Sequence, residues 1–130
     1  FEDFDRLVDA GFFDAHRYCG VDLAVGDPVW DYGRLDVRAD LAHLPFAGDR
    51  FDACLNIVTL EHVREPEEAL REMARVLKPG GVLLLAIPQE WEVHQAPHDY
   101  FRFTRFGVGH LTERELRKSG EADGPARGRK

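Results

Sequence analysis

The amino-acid sequence predicts an α/β fold built on a parallel sheet, and three neighbouring segments support that prediction. Apolar residues alternate along 51–57, as in a strand whose side chains point to opposite faces in turn. Residues 67–77 place apolar side chains at helical spacing, and the run 82–87 is apolar throughout, as in a strand covered on both faces. A strand, a helix and a strand in this order form a βαβ unit with two parallel strands and a right-handed crossover.

The segments before this unit are predicted from shorter patterns. Residues 2–10 carry a brief helical pattern that Gly11 stops. Strands are predicted over 18–23 and 35–39, and the first of them leads into the turn-rich sequence Gly26-Asp27-Pro28.

The helix predicted at 67–77 has clear signals at both ends. Pro66 suits a first helical turn, and Glu67 and Glu68 complement the positive end of the helix dipole. The sequence Lys78-Pro79-Gly80-Gly81 ends the helix in a turn, because proline cannot continue it and glycine supplies the turn conformation. The apolar stripe expected to face the sheet consists of Leu70, Met73, Ala74 and Leu77.

Composition and charge narrow the classes of function. The chain has 130 residues, of which 44% are hydrophobic, and its net charge is −7. It has no apolar run of membrane-spanning length and begins with acidic residues, so we expect neither a membrane partner nor a secretory signal. Cys19 and Cys54 do not form a paired motif, which indicates free thiols and a cytoplasmic location.

The charge is divided unevenly along the chain. Residues 117–130 carry five basic and two acidic residues, which leaves a net charge of −10 on residues 1–116. Such an acidic body argues against a nucleic-acid partner, because phosphate binding requires a basic surface. We therefore expect one domain over 1–115 and a basic, disordered tail over 116–130, with the oligomeric state left open.

Polar residues follow each predicted strand, where ligands of open parallel sheets bind. Asp22 follows the first strand and can accept hydrogen bonds from ribose hydroxyls, or it can be a solvated turn carboxylate. Asp40 and the amide of Leu41 follow the second and can bind adenine, although Asp40 can equally cap a helix. After the third strand come residues 56–59 and then Leu60-Glu61-His62-Val63.

These residues, in this order, resemble a class I S-adenosylmethionine-dependent methyltransferase of the type 11 group. The resemblance is carried by Asp22 after a strand, Asp40-Leu41-x-x-Leu44-Pro45-Phe46, Phe51-Asp52-x-x-x-x-x-x-x-Leu60-Glu61-His62-Val63 and Glu72-x-x-Arg75-Val76-Leu77-Lys78-Pro79-Gly80-Gly81. It implies a Rossmann-like methyltransferase fold and S-adenosylmethionine as cofactor. The residues that it implies for cofactor binding are Asp22 and Leu23 at the ribose, Asp40 and Leu41 at the adenine, and Asn56, Ile57 and Val58 at the methionine portion. His62 can reach the mouth of this site as a further cofactor contact, or it can fix its own loop by a hydrogen bond.

The sequence departs from the family pattern at both ends. No G-x-G motif precedes Asp22, where such enzymes place a glycine-rich loop, and no final strands are apparent after Leu111. We therefore expect a methyltransferase domain that is incomplete at both ends. A non-catalytic or fragmentary methyltransferase-like binding module is the alternative, and a nicotinamide-dependent oxidoreductase is a third that lacks the same glycine motif.

Residues 88–104 follow the last strand and are rich in histidine, aromatic and charged side chains. If a small-molecule acceptor must lose a proton, the candidate bases in this segment are His94, His98, Asp99 and Tyr100. The alternative is a lid that packs its aromatic rings on the sheet and leaves its polar groups in solvent. His94 and His98 have the spacing of metal ligands, with Asp99 or His62 nearby, but Pro97 interrupts a shared helix face, so no metal site is expected.

Overall fold

A computed structural model describes residues 17–25 and 35–122, with side chains as far as residue 116. The chain divides after Arg38 into two compact units, which are described separately. The helix predicted at 2–10, the turn at 26–28 and the tail beyond residue 122 lie outside the described residues.

The first unit contains a two-stranded parallel sheet. Strand β1 (Val21–Asp22) pairs with strand β2 (Val37–Arg38), and Val21 lies opposite Val37. Both strands lie where the sequence predicts them but are only two residues long. The pairing ends there because the Leu23 carbonyl accepts a hydrogen bond from Arg38 Nε (2.9 Å), a side-chain donor, in place of a backbone partner.

The second unit contains the predicted βαβ arrangement. Strand β3 (Phe51–Ile57) leads through a single-turn 3₁₀ helix (Leu60–His62) into helix α1 (Pro66–Val76), and strand β4 (Leu77–Ala86) follows directly. The two strands are parallel, which confirms the prediction. The helix begins and ends one residue earlier than predicted, because Pro66 itself occupies the first turn and Leu77 has extended backbone dihedral angles.

The turn predicted at residues 78–81 lies inside β4 as an irregularity of the strand. Phe51 pairs with Leu77 and Ala53 with Val82, so these four residues bulge out opposite one residue of β3. Gly80 has a φ of 79°, and a Cβ on Gly81 would lie 2.9 Å from the Lys78 carbonyl oxygen. The sequence therefore predicts the interruption correctly, but the strand continues on both sides of it.

Helix α1 covers one face of the β3–β4 pair. The fully buried residues at this interface are Leu60, Ala69, Leu70 and Met73, and the half-buried residues packed on them from the two strands are Cys54, Leu83 and Leu85. On the opposite face Leu55, Val82 and Leu84 are 47%, 61% and 51% exposed. The predicted burial of residues 82–87 on both faces is therefore correct for one face only in the described part of the chain.

Helix α2 (Arg105–Ala122) is an element that the sequence analysis does not predict. Its first turn is capped by Thr104, whose Oγ1 accepts a hydrogen bond from Gly107 N (3.0 Å). It packs against α1, where Arg71 Nε donates to the fully buried carboxylate of Glu115 (2.9 Å). Residues 116–122 are therefore helical where the sequence predicts a disordered tail. Neither α1 nor α2 is long and apolar enough to cross a membrane.

Candidate active site

The backbone turns sharply where β3 ends. Asn56 is buried at this end, and Val58 N donates to the Ala86 carbonyl (2.7 Å). Val58 has a φ of 49°, which a β-branched residue rarely adopts. Such strained backbone is typical of functional sites, and here it directs the chain into the 3₁₀ helix that carries Glu61 and His62.

The segment that follows β4 is fastened to this 3₁₀ helix. Tyr100 N and Phe101 N both donate to the Glu61 carbonyl oxygen, at 3.0 and 3.2 Å. His62 Nδ1 lies 2.7 Å from the carbonyl oxygen of His98. These contacts bring the segment 88–104, which carries the candidate bases predicted from the sequence, against the end of β3.

An ion pair between Asp99 and Arg102 fixes the shape of that segment. Arg102 donates to both oxygens of Asp99 (2.6 and 2.8 Å) and to the carbonyl oxygens of Trp91 and Glu92. The second Asp99 oxygen also accepts a hydrogen bond from His94 N (2.9 Å). The Arg102 hydrogen bonds and that of the His94 amide hold the pKa of Asp99 well below its usual range. Such a carboxylate is a weak proton acceptor, so its contacts indicate that Asp99 positions His94.

Three polar side chains meet beneath this segment, and we call them the Glu61 cluster: Glu61, His62 and His94. Glu61 is fully buried, and its Oε1 lies 3.7 Å from His62 Nε2 and 3.9 Å from His94 Nε2. The two imidazole rings are perpendicular, with centroids 4.6 Å apart. Within residues 17–25 and 35–116, no donor hydrogen bonds to either Glu61 carboxylate oxygen or to His62 Nε2.

The protonation of the two imidazoles follows from their other contacts. His62 Nδ1 faces the carbonyl of His98 (2.7 Å), and His94 Nδ1 faces the carbonyl of Glu92 (3.0 Å). Because a carbonyl oxygen only accepts hydrogen bonds, each Nδ1 must carry the proton. In the neutral imidazoles each Nε2 is then a lone-pair acceptor, and both face a carboxylate, which is also an acceptor. The cluster therefore calls for a donor or a cation from outside.

The four candidate catalytic residues separate into two groups. His94 adjoins Glu61 and is held by Asp99, whereas His98 and Tyr100 form a neighbouring pair with Nδ1 to Oη at 3.0 Å. Arg64 Nε donates to the same Tyr100 oxygen (2.8 Å), and the Arg64 guanidinium lies over the Tyr100 ring.

The residues implied for cofactor binding lie in both units. In the second unit, Asp40 Oδ1 accepts a hydrogen bond from Ala42 N (2.9 Å), which closes a short turn, and Leu41 packs against the core. Asn56 is 6% exposed, and its Oδ1 has no hydrogen-bond donor among the described residues. Ile57 and Val58 are half-buried beside it.

In the first unit, Asp22 is exposed after β1, and its Oδ1 accepts a hydrogen bond from Ala24 N (2.6 Å). Leu23 is 45% exposed. One oxygen of Asp22 thus fixes its own turn, as one oxygen of Asp40 does.

Glu61 is the residue of the site that the sequence analysis does not single out. It appears there only as part of the motif Leu60-Glu61-His62-Val63, because a glutamate is ordinarily exposed and no local pattern shows its burial. The available signal is an acid beside a histidine directly after a strand, at the edge of the sheet where ligands bind.

A groove of about 620 Å³ beside α1 is a separate feature. It is lined by Ala42, His43, Leu44, Glu68, Arg71, Glu72 and Arg75. Its charged groups are engaged with one another or with backbone: Arg75 donates to Glu72 and to the carbonyl oxygens of Leu44 and Phe46, and Arg71 pairs with Glu68. These contacts hold the loop before β3 on the helix and account for the groove without a ligand.

Comparison with known proteins identifies the family to which this fold and site belong. The sequence profile of the family described as "Methyltransferase domain" matches residues 9–85. That match covers more than half of the chain, and the chain belongs to this family.

Two relatives and one solved structure illustrate the likeness. The chain is 37% identical over 119 residues to an uncharacterized methyltransferase of Mycolicibacterium paratuberculosis, which covers 85% of this chain and 46% of that protein. It is 48% identical over 50 residues to the demethylmenaquinone methyltransferase of Renibacterium salmoninarum, which covers 38% of this chain and 21% of that protein. The chain thus spans less than half the length of either relative.

The solved structure of an S-adenosylmethionine-dependent methyltransferase from Thermotoga maritima has a TM-score of 0.55 to this chain at 20% identity. The superposition covers 92% of this chain and 76% of that one. This likeness concerns the fold, and it confirms the Rossmann-like α/β class predicted from the sequence.

Proposed function

We propose that the protein is a methyltransferase that uses S-adenosylmethionine to methylate a small-molecule acceptor bound at the Glu61 cluster. The proposal is carried by one observation: a fully buried carboxylate at the end of β3, in a methyltransferase-family chain, has no donor among the described residues. The acidic body supports a small-molecule acceptor over a nucleic acid. The free thiols of Cys19 and Cys54 support a cytoplasmic location.

The residues after the strands suit the cofactor chemically. S-adenosylmethionine presents hydroxyls, an ammonium group and an exocyclic amine, all of which are hydrogen-bond donors. Asp22, Asp40 and Asn56 offer acceptor oxygens, and the buried Oδ1 of Asn56 has no donor among the described residues. When bound, the cofactor supplies an electrophilic methyl group on a sulfonium.

The Glu61 cluster suits the small molecule that accepts the methyl group. A hydroxyl or amine placed against the cluster would supply a donor to Glu61 or to His62 Nε2, which have none among the described residues. The same groups can take up the proton that the acceptor loses as its lone pair becomes the nucleophile. Asp99 and Arg102 hold His94 in place, and the hydrogen bonds from Tyr100 N and Phe101 N hold the segment over the site. Much of the rate in such a displacement comes from this alignment.

Calorimetric titration with S-adenosylhomocysteine tests cofactor binding. We expect saturable binding by the folded chain, weakened roughly five- to hundredfold by Asp40→Asn, the range expected for loss of a charged acceptor. Asp52→Asn is the matched control, because Asp52 is exposed at the other end of β3 and pairs with Lys78 (2.7 Å). No binding at millimolar ligand, with the chain shown to be folded by circular dichroism, would contradict the proposal. Binding without methyl transfer to any small-molecule acceptor tested would favour the binding-module alternative.

A further inference from the structure

We propose that Glu61, His62 and His94 bind a divalent metal ion of the Zn²⁺ type, with one coordination position left open. Metal binding itself does not depend on the proposed function. The second part of the inference does: the acceptor's reacting oxygen or nitrogen would occupy the open position.

The distances in the Glu61 cluster suit a shared ion. One ligand atom from each residue can be chosen so that all three lie within 4.8 Å of one another. Glu61 Oε1 is 3.7 and 3.9 Å from the two Nε2 atoms. Ligands at about 2.0–2.1 Å from a tetrahedral Zn²⁺ are separated by roughly 3.4 Å. The two Glu61–histidine distances exceed this value by about half an ångström or less, and the 4.8 Å bound limits the excess of the third separation to about 1.4 Å.

The hydrogen bonds around the cluster orient both imidazoles so that they can bind a cation. Nδ1 of His62 donates to the His98 carbonyl and Nδ1 of His94 to the Glu92 carbonyl, so both neutral rings present an Nε2 lone pair to Glu61. One divalent ion would satisfy all three acceptors at once, because it can bind a lone pair at each of several coordination positions. Metal-bound histidines characteristically donate their other nitrogen to a backbone carbonyl or a carboxylate, as these do.

Burial supplies an independent argument. Glu61 is fully buried and both of its oxygens lack donors in the described part of the chain, as does the buried His62 Nε2. Leaving such groups unsatisfied is strongly unfavourable, so buried charges are usually paired or bound to a metal. Arg102 does not serve as that partner, because its guanidinium hydrogen bonds are directed to Asp99 and to carbonyl oxygens.

The ligand set indicates which metal. Two imidazole nitrogens and one carboxylate oxygen suit Zn²⁺ and similar transition metals, whereas Mg²⁺ and Ca²⁺ prefer oxygen ligands. Three protein ligands leave a fourth position, as in catalytic zinc sites. An acceptor hydroxyl bound there would lose its proton more readily, because the metal stabilises the resulting oxyanion. With the lone pairs of Glu61 and the two imidazoles on the metal, the proton would leave to solvent and not to these side chains. The oxygen would retain the lone pair that bonds to the methyl carbon as the bond from that carbon to the sulfonium sulfur breaks.

This site differs from the one that the sequence analysis considers and rejects. That set pairs His94 with His98, but the structure directs His98 Nδ1 to Tyr100 Oη (3.0 Å) and leaves His98 outside the cluster. The ligand that completes the set is Glu61.

The metal site is tested by titrating the chelator-treated chain with Zn²⁺ and measuring the heat of binding by calorimetry. Titration with Co²⁺, followed by its visible absorption, reports tetrahedral coordination. We expect saturation at one equivalent, and affinity at least about tenfold lower in Glu61→Gln and His94→Gln, since even outer-sphere substitutions at metal sites reduce affinity that much. His110→Ala is the matched control, because His110 is exposed on α2 and lies outside the cluster. A Cys19→Ser background removes one half-buried thiol that could bind zinc on its own.

Four results decide the outcome. No binding of either ion by the folded chain would overturn the proposal, as would equal binding by the wild type and both cluster variants. If Glu61→Gln does not fold, His94→Gln decides alone, because the His94 side chain is 23% exposed and tolerates substitution better. Zn²⁺ binding without S-adenosylhomocysteine binding would support the metal site and contradict the proposed function. S-adenosylhomocysteine binding without Zn²⁺ binding would support the proposed function and contradict the metal site.

Discussion

Replacing Glu61 by glutamine should stabilise the metal-free protein. Glu61 is fully buried, and no donor among the described residues hydrogen bonds to its carboxylate. A buried polar group left unsatisfied lowers stability by about 1–3 kcal/mol, and more when it is charged. Glutamine has the same shape, and its amide can donate to the Nε2 atoms of His62 or His94, which lie 3.7 and 3.9 Å from Glu61 Oε1.

The expected gain follows from these contacts. Arg102 interacts electrostatically with Glu61 and offsets part of the unfavourable burial. The unfavourable free energy that remains predicts that Glu61→Gln raises the free energy of unfolding by about 1–3 kcal/mol. For a domain of this size, that gain corresponds to a rise of roughly 5–15 °C in melting temperature. The assay is urea unfolding followed by circular dichroism, with a chelator present throughout.

The matched control is the other fully buried glutamate described, Glu115. Its carboxylate accepts hydrogen bonds from Arg71 (2.9 Å) and Arg114 (2.7 Å), so Glu115→Gln should destabilise the protein by about 1–3 kcal/mol. The same substitution at two buried glutamates should thus have opposite effects. If Glu61→Gln lowers stability in chelator as much as Glu115→Gln does, Glu61 has partners in solution and the reasoning on the cluster is wrong.

Three further predictions concern the core, the acid stability and the thiols. Leu70→Ala should lower the free energy of unfolding by about 3–5 kcal/mol, because Leu70 is fully buried against the sheet. Leu84→Ala, on the half-exposed face, should lower it by less than about 1.5 kcal/mol. Similar losses for the two variants in urea titrations would contradict the packing described. The Arg75 hydrogen bonds, together with that of the Leu44 amide, lower the pKa of Glu72 below its ordinary value of 4.5, so its contribution to stability is present above that pH and lost as pH falls through the lower, folded-state pKa. The difference in stability between wild type and Glu72→Gln should therefore be constant near neutrality and shrink in acid, and a difference that does not change with pH would argue against the pair. Burial raises the pKa of the Cys54 thiol. At mildly alkaline pH, iodoacetamide should therefore label Cys54 far more slowly in the native chain than in urea, as measured by mass spectrometry. Equal labelling rates would show that the thiol is accessible in the native chain.

The central βαβ unit could be predicted from the sequence because each of its boundaries has a local chemical cause. Alternating side chains mark β3, Pro66 starts α1, and the glycines at 80–81 interrupt β4. In each case a residue acts on its own backbone, so no tertiary information is needed. The positions of the short strands β1 and β2 could also be predicted from their local sequence. Their length could not, because it depends on tertiary hydrogen bonding.

Helix α2 and the Glu61 cluster could not be predicted in the same way. Gly107 and Gly109 lower the helix propensity at the start of α2, and packing against α1 outweighs that loss. The cluster joins Glu61 and His62 to His94, a residue in a different loop, through hydrogen bonds between backbone segments. Sequence patterns can nominate His94 as a catalytic candidate, but only the fold shows which acid it faces.

Two features that break the usual rules of stability lie close together in the described part of this chain. Val58 has a left-handed backbone conformation that a branched residue disfavours, and three residues later Glu61 is buried with no donor in the described part of the chain. The unpaired state of Glu61 is not required by burial, because Glu115 shows that a buried glutamate in this chain can be paired with arginines. Local violations without a structural compensation are characteristic of sites maintained for binding or catalysis. A ligand that supplies the missing positive charge would reverse the deficit, since binding at a hundredfold excess over the dissociation constant adds about 2.7 kcal/mol of stability. The instability at Glu61 and the affinity of the cluster for a cation are therefore two measurements of the same interaction. In Glu61→Gln the instability should disappear and the affinity should fall.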